Sequence, residues 1–327
     1  MDQPGYPLIS VVVPAWNEAE NLESLYQSVR PVLERIAIPW EMVIVDDGST
    51  DATFAIIQRL HQQDYRVRGA QMRVHLGKGA VYATGFHLAK GDILLTMDAD
   101  LQDDPEDLPI LLAALGPMED MVIGWKVSGK GDHFRSQASV LFNAIVSYLT
   151  GLKLHDVNCP LRAFRREVVT EVPLYGDLFR FLPVLAFHRG FRVVEVPVKN
   201  YPRGHGSSKF GLERYYRGVL DLLTVVFLTR FAKRPLHFIG IGGLLTFIAG
   251  FGINLFLLIA HLFYVFGADI DPSWDLHNRP MLMLGMLLLI FGAQFFSMGL
   301  LGELFISRGH GLGGVGDYPI RCRVPVE

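Results

Sequence analysis

At 327 residues, with a net charge of −3 and a pI near 6.4, the chain is long enough for one sizeable domain plus a further segment, and no tract masses its basic residues, which argues against a nucleic-acid partner. Half of the residues are hydrophobic and the mean hydropathy is +0.28, high for a soluble enzyme. The excess is concentrated: up to about residue 210 the composition is that of a globular α/β domain, whereas residues 236–266 and 281–306 carry Glu303 as their only charge, and each exceeds the ~20 apolar residues that a membrane helix needs.

The opening MDQPGYPLIS has no basic run followed by an apolar one, so no cleaved signal is expected and the globular part should stay in the cytoplasm. Arg230, Lys233 and Arg234 precede the first apolar stretch and Arg308 follows the second, while the loop 267–280 holds Asp269, Asp271 and Asp275 against Arg279. By the positive-inside rule both ends face the cytoplasm and the short loop lies outside, giving a multi-pass protein of the inner (plasma) membrane. Cys159 and Cys322 form neither a disulfide framework nor a metal-ligand spacing, as in a reducing compartment.

In chain order, residues 8–14 (LISVVVP) are a β-branched apolar strand, and the polar run from Asn17 to Asn21 opens a helix to about Ile36. Residues 41–45 (EMVIV) form a second strand ending in Asp46, Asp47, Gly48, Ser49, Thr50 and Asp51; a helix over 52–62 follows, with Ser49 or Thr50 as its cap. Residues 66–76 are a weaker strand and turn, and Gly77-Lys78-Gly79 before a helix over 80–89 is either a phosphate cradle or a plain helix-breaking turn. Next comes ILLTMDADLQDDPED, an apolar strand that stops at Asp98 and Asp100. If strand geometry persists, those two side chains leave on one face with Gln102 next in the row, and two carboxylates without an interleaved cation call for a hard divalent ion. The competing reading is an Asp-rich turn capping the next helix. Repeated strand-helix alternation predicts a doubly wound, mainly parallel sheet with ligands beyond the carboxyl ends of its strands, placing Asp46 and the Asp98 cluster on one rim. GxGxxG after the first strand and GxxxxGK[ST] are both absent, so dinucleotide and P-loop sites lose their main support.

The blocks VVVPAWNEAENL, VIVDDGSTD, GKGAVYATGF and MDADLQDDPEDL, in this order and near these spacings, resemble glycosyltransferase family 2 over roughly residues 8–230. The resemblance implies the GT-A nucleotide-sugar fold, with Pro14, Asn17, Glu18, Asp46, Asp47, Lys78 and Ala99 around the nucleotide sugar and Asp98, Asp100 and Gln102 holding Mg²⁺ or Mn²⁺ on its diphosphate. Within the family, the second half looks like the dolichol- and polyprenyl-phosphate sugar synthases. Arg135, Ser139 and Asn143 recur every four residues on one helical face, and the resemblance assigns Arg135 and Ser139, with Lys126 and Ser208, to the acceptor phosphate; an ordinary amphipathic surface is the alternative. Lys126 stands where those enzymes often carry Arg, and it lacks the bidentate fork. Asp156 resembles the family's Asp in the block DVNCPLR, with Pro160-Leu161 where Gly-Phe is commoner, and it would orient the acceptor or act as a base. VVEVPV at 193–198 and YPRGHGSSKF at 201–210 match the same subfamily, the latter as a cationic flap with Arg203 and Lys209 on the leaving diphosphate, or as a basic loop that meets lipid headgroups.

These readings lead to four segments: a catalytic domain over 1–210, an interfacial helix over 211–234, two transmembrane helices within 235–306, and a flexible tail over 307–327. The expected reaction is inverting transfer of one sugar from a nucleotide diphosphate sugar, UDP ahead of GDP, to undecaprenyl or dolichyl phosphate. Transfer to a diacylglycerol-type acceptor and a non-catalytic, membrane-anchored nucleotide-sugar binder are the alternatives. Glycines in both apolar stretches allow close helix packing and contacts between subunits.

Overall fold

The computed structural model describes residues 7–127, 133–172, 176–201, 221–227, 229, 236–266 and 280–312, with the backbone alone at 133–139, 141, 177 and 306–312. Two compact units divide it, Met1–Val226 and Phe227–Glu327.

The first unit is built on a seven-stranded sheet. Its strands are β1 (Ile9–Ala15), β2 (Trp40–Asp46), β3 (Val67–Gln71), β4 (Ile93–Thr96), β5 (Met121–Lys126), β6 (Arg162–Arg165) and β7 (Val193–Val198), in the spatial order β3-β2-β1-β4-β6-β5-β7. Between them run α1 (Leu22–Ile36), α2 (Thr53–Gln63), α3 (Lys78–Leu88), α4 (Leu108–Ala114), α5 (His133–Thr150), α6 (Arg166–Glu171) and α7 (Leu182–His188). β1 and β2 are buried along nearly their whole length, as a strand covered by helices on both faces must be. α3 packs on them because Gly85 lets it approach: a Cβ there would come within 2.4 Å of Val12 Cγ1.

The expected α/β sheet is present, but it is mixed. β6 runs antiparallel to both β4 and β5, whereas the other neighbouring pairs are parallel. This reversal sets Thr96, at the end of β4, opposite Arg162, at the start of β6. The loop leading into β6 therefore arrives at the edge where β4 delivers its acids.

Two local expectations change. β4 ends at Thr96, so Asp98 and Asp100 lie in a turn, whose next residue, Leu101, has a φ of 61°. Ala52 precedes α2 without a side-chain cap, so neither Ser49 nor Thr50 caps it. Of the segment 211–234, expected to be an interfacial helix, residues 221–227 and 229 are described and helical.

The second unit is a helical hairpin: α8 (Ile241–Val265), extended at its start by a π-helical turn over Leu236–Gly240, and α9 (Pro280–Leu312). Leu236–Val265 and Pro280–Phe305 are long and apolar enough to cross a membrane. α9 runs on to Leu312, into the segment expected to be a flexible tail; no proline interrupts its ladder after Pro280. The loop at 267–279 and residues 313–327 lie outside the described residues. Glycines set the crossing of the two helices. A Cβ on Gly243 would meet Phe296 N at 2.5 Å, one on Gly250 would meet Gly285 O at 2.7 Å, and one on Gly299 would meet Gly240 N at 2.9 Å. Without a hydrophobic effect inside lipid, such backbone approach is a main source of association.

Gly292→Leu is expected to separate α8 from α9, since its Cβ would fall 2.4 Å from Phe247 N, whereas Gly242→Leu should be tolerated because nothing lies within 4 Å. Thermal unfolding of the two variants in detergent checks this: the Tm should fall for the first and hold for the second.

Candidate active site

At the carboxyl edge of the sheet the β1–α1 and β2–α2 loops are tied into one platform. Asn17 takes a left-handed backbone (φ 53°), which Asn tolerates better than most residues. Its N–H donates to Ser49 Oγ at 2.8 Å and its Oδ1 accepts the Thr50 N–H at 2.9 Å. Glu18 N–H donates to Thr53 Oγ1 at 2.9 Å, and its carboxylate accepts from Asn21 Nδ2 at 2.6 Å. Asp46, fully buried, accepts from the Ser49 N–H at 3.0 Å, from the Ser49 hydroxyl and from Gln71 Nε2 at 2.8 Å. Asp47 takes the Leu76 and Gly77 N–H groups at 2.8 and 3.0 Å and pairs with His75 Nδ1 at 2.8 Å. The Asp46-Asp47 pair thus joins the β2–α2 loop to the end of β3 and the β3–α3 loop. Beside it the ring of His75 stacks on Trp16, centroids 4.2 Å apart, a contact without any short-range sequence signal. Pro14 is half-buried on the end of β1, and Ala99 is buried in the acidic turn.

The GKG turn is shaped by both glycines. Gly77 has a φ of +91°, and a Cβ on Gly79 would fall 1.7 Å from Gly176 O, so only glycine fits there. Between them Lys78 opens α3 and reaches Asp98, Nζ to Oδ2 at 2.6 Å; Tyr82, one turn on, aims its hydroxyl at Asp98 Oδ1 at 3.4 Å.

Behind Asp98 the charges alternate. The Asp98 N–H faces Asp103 Oδ2 at 3.4 Å, and Asp103 pairs with Lys126 Nζ at 2.8 Å, its side chain 1% exposed. Burial pushes the Asp103 carboxyl above its usual range, and Lys126 works against that push. Asp104 caps the 3-10 turn Pro105–Asp107 that leads into α4: it accepts the Glu106 N–H at 3.0 Å, with Lys199 Nζ and Tyr201 Oη also on it at 3.1 Å. The capping that the competing reading gave to this turn thus falls to Asp104, whereas Asp103 is the buried partner of Lys126. Asp100 Oδ1 accepts the Gln102 N–H at 3.3 Å, and Gln102 O accepts the Tyr201 N–H at 2.9 Å.

The acceptor side is partly described. Lys126, assigned to the lipid phosphate, is engaged with Asp103 and 20% exposed. Arg135 and Ser139 lie on the backbone of α5 with side chains outside the described set; Asn143 on the same helix is buried and donates to His155 O at 2.6 Å. Arg203, Ser208 and Lys209 lie outside the described residues. Asp156 accepts the Asn158 N–H at 3.0 Å, and burial raises its carboxyl. Its loop is anchored by Arg162, almost fully buried, which donates to Cys159 O and Phe179 O at 2.7 Å, to Val157 O at 3.2 Å and to Arg180 O at 3.3 Å.

Residues 10–172 match the model of glycosyl transferase family 2. A dodecaprenyl-phosphate galacturonate synthase of Rhizobium johnstonii is 35% identical over 311 residues, 90% of this chain and 87% of that protein. The chain belongs to glycosyl transferase family 2. An undecaprenyl-phosphate 4-deoxy-4-formamido-L-arabinose transferase of Edwardsiella ictaluri is 32% identical over 92% of this chain and 89% of its own length. Among solved structures, glucosyl-3-phosphoglycerate synthase of Mycobacterium tuberculosis, in complex with Mn²⁺ and UDP-glucose, shares the GT-A fold at a TM-score of 0.53, with 20% identity over 68% of this chain and 79% of that one.

The residues present suit a divalent cation. Asp98 and Asp100 offer hard oxygen donors, and Asp98 is already neutralised by an ammonium, Lys78, so the position favours positive charge. Among the described residues no group of three His, Cys, Asp or Glu is placed to hold an ion.

Lys126→Met is expected to destabilise the fold by about 2–4 kcal/mol at neutral pH, because it leaves the Asp103 charge buried without a partner. An acid whose folded pKa is raised contributes stability below its unfolded pKa and loses it as pH rises through the folded value. The deficit against the wild type should therefore be small near pH 3 and full by pH 7, as denaturant titrations at the two pH values will read.

Proposed function

We propose that this family 2 enzyme is membrane-anchored and transfers one sugar, with inversion, from a nucleotide diphosphate sugar to a polyprenyl phosphate, releasing the nucleoside diphosphate. The observation that carries the reading is the juxtaposition, on one sheet edge, of the Lys78–Asp98 pair with the Asp156 loop, in a chain whose relatives at 32–35% identity are named for sugar transfer involving dodecaprenyl and undecaprenyl phosphate. Two helices of membrane-crossing length agree with a lipid acceptor. By charge asymmetry the catalytic domain and both termini are cytoplasmic. UDP is the favoured base carrier, in line with the ligand of the mycobacterial structure.

Asn17, Glu18, Asp46 and Asp47 form the platform for the nucleoside, and Lys78, freed from Asp98, contributes charge to the diphosphate. Asp98 and Asp100 would hold Mg²⁺ or Mn²⁺, which when bound offsets the negative charge of the diphosphate. Arg135 and Ser139 hold the acceptor phosphate, with Lys126 nearby, while Arg203, Ser208 and Lys209 close over the site. A phosphate monoester is ionised at pH 7, so an oxygen of the lipid phosphate attacks the anomeric carbon without a general base, and catalysis consists of alignment and charge stabilisation. A hydroxyl acceptor would need a base, and the buried Asp156, its carboxyl raised, is the group that would supply it.

Purified protein incubated with polyprenyl phosphate, Mg²⁺ or Mn²⁺ and a panel of nucleotide sugars should label the lipid with one donor class. Asp100→Asn is expected to lower that labelling by about 10²-fold or more. An Asp100→Asn enzyme as active as the wild type, or a preference for diacylglycerol over polyprenyl phosphate, overturns the reading.

A further inference from the structure

The segment Val193–Val198 carries a single charged residue, Glu195, that no step above uses. Its side chain is 11% exposed, and in the sheet it stands opposite Ile123 of β5. The carboxylate accepts the His155 N–H at 3.0 Å on each oxygen and the Asp156 N–H at 2.9 Å, and it also bonds the His155 ring at Nδ1, 2.8 Å away. The other face of the brace is aromatic: the His155 ring lies flat on the indole of Trp125, with centroids 4.0 Å apart and 16° between planes. The far end of the same loop is held separately, by Thr96 Oγ1 donating to Pro160 O at 2.6 Å and by Arg162 on the carbonyls of Val157 and Cys159.

A carboxylate this buried is unfavourable unless several donors satisfy it, and here two consecutive backbone amides and a ring nitrogen do so. The result is a loop clamped at both ends, with Asp156 between the clamps. Position in the sheet says which substrate the clamp serves. The nucleotide platform and Asp98 belong to the β3-β2-β1-β4 half, whereas Glu195, Trp125 and the Asp156 loop belong to the β6-β5-β7 half, on the far side of β4.

We propose that Glu195 is a positioning residue for the acceptor: by gripping the His155 and Asp156 amides it fixes the Asp156 carboxylate at the phosphate-binding side of the site, while the donor side is independent of it. The inference rests on the polyprenyl-phosphate reading and adds to it a residue outside the substrate contacts. Loosening the loop should therefore weaken acceptor use without touching donor use.

The test uses the full-length enzyme in detergent, as wild type, Glu195→Gln, Glu195→Ala, Glu195→Asp and His155→Ala. In Glu195→Gln and Glu195→Ala the KM for polyprenyl phosphate is expected to rise about tenfold or more, a displacement effect on alignment, with the KM for the nucleotide sugar within about twofold. Glu195→Asp should recover part of the loss, and His155→Ala, which keeps both backbone bonds, should change the acceptor KM far less than Glu195→Ala. Hydrogen exchange of the 155 and 156 amides should quicken in Glu195→Gln and Glu195→Ala. Donor and acceptor constants rising together, or amide exchange as slow as in the wild type, overturn the role of Glu195. A wild-type enzyme that glycosylates no polyprenyl phosphate instead sinks the acceptor assignment, and the exchange rates still show separately whether Glu195 holds the loop.

Discussion

The alternation Lys78, Asp98, Asp103, Lys126 is the constraint around which the catalytic edge is arranged. Three carboxylates, Asp98, Asp100 and Asp103, crowd a short turn, and Asp103 is shut away from water. Left alone they would repel one another. Lysines from α3 and β5 prevent this from either side, at 2.6 and 2.8 Å. Because those lysines come from distant parts of the chain, the turn holds its charge only when α3 and β5 are docked on the sheet. Its chemistry is thus tied to the packing of the whole first unit.

Sheet topology then decides what meets the acids. Were every strand parallel, the segment before β6 would start at the opposite edge. The reversed β6 instead sets Arg162 against Thr96 and brings residues 155–160 to the side of Asp98. Arg162 spends its donors on four backbone carbonyls from two segments, 157–159 and 179–180. Such a residue shapes loops and does not titrate near neutral pH. The Asp46-Asp47 pair does the same with opposite charge, collecting amides from the loops that begin at Ser49 and Leu76. The site is therefore made largely of loops braced by buried charge, a way of holding irregular backbone in place that leaves strand ends open to substrate.

In the second unit the organising atoms are the missing ones. Gly243, Gly250, Gly292 and Gly299 let α8 and α9 approach at backbone distance, while large apolar side chains such as Phe251, Phe263 and Phe305 remain exposed, as a lipid-facing surface requires. The glycines anticipated as packing sites act within the hairpin; Gly242 and Gly252 meet nothing within 4 Å.

Periodicity and composition alone determined much of this protein: apolar strands ending in acids, helices between them, and two spans whose bounds at 236–266 and 281–306 nearly coincide with Leu236–Val265 and Pro280–Phe305. The ordered blocks around Asn17, Asp46, Lys78 and Asp98 marked the family, because they recur in that order beyond the ends of consecutive strands. Pairing across long chain separations was not legible. The antiparallel course of β6, the stack of Trp16 on His75, the Lys126–Asp103 pair and the clamp of Glu195 on Asp156 all join residues distant in sequence, and no local pattern encodes which of several acids will meet which cation. The acidic turn shows the division. Its sequence announced a concentration of charge beyond a strand; only the tertiary structure gave Asp104 the Glu106 N–H, Asp103 a buried lysine partner and Asp98 the ammonium of Lys78, because burial and the nearest cation, not the residue type, set what a carboxylate does.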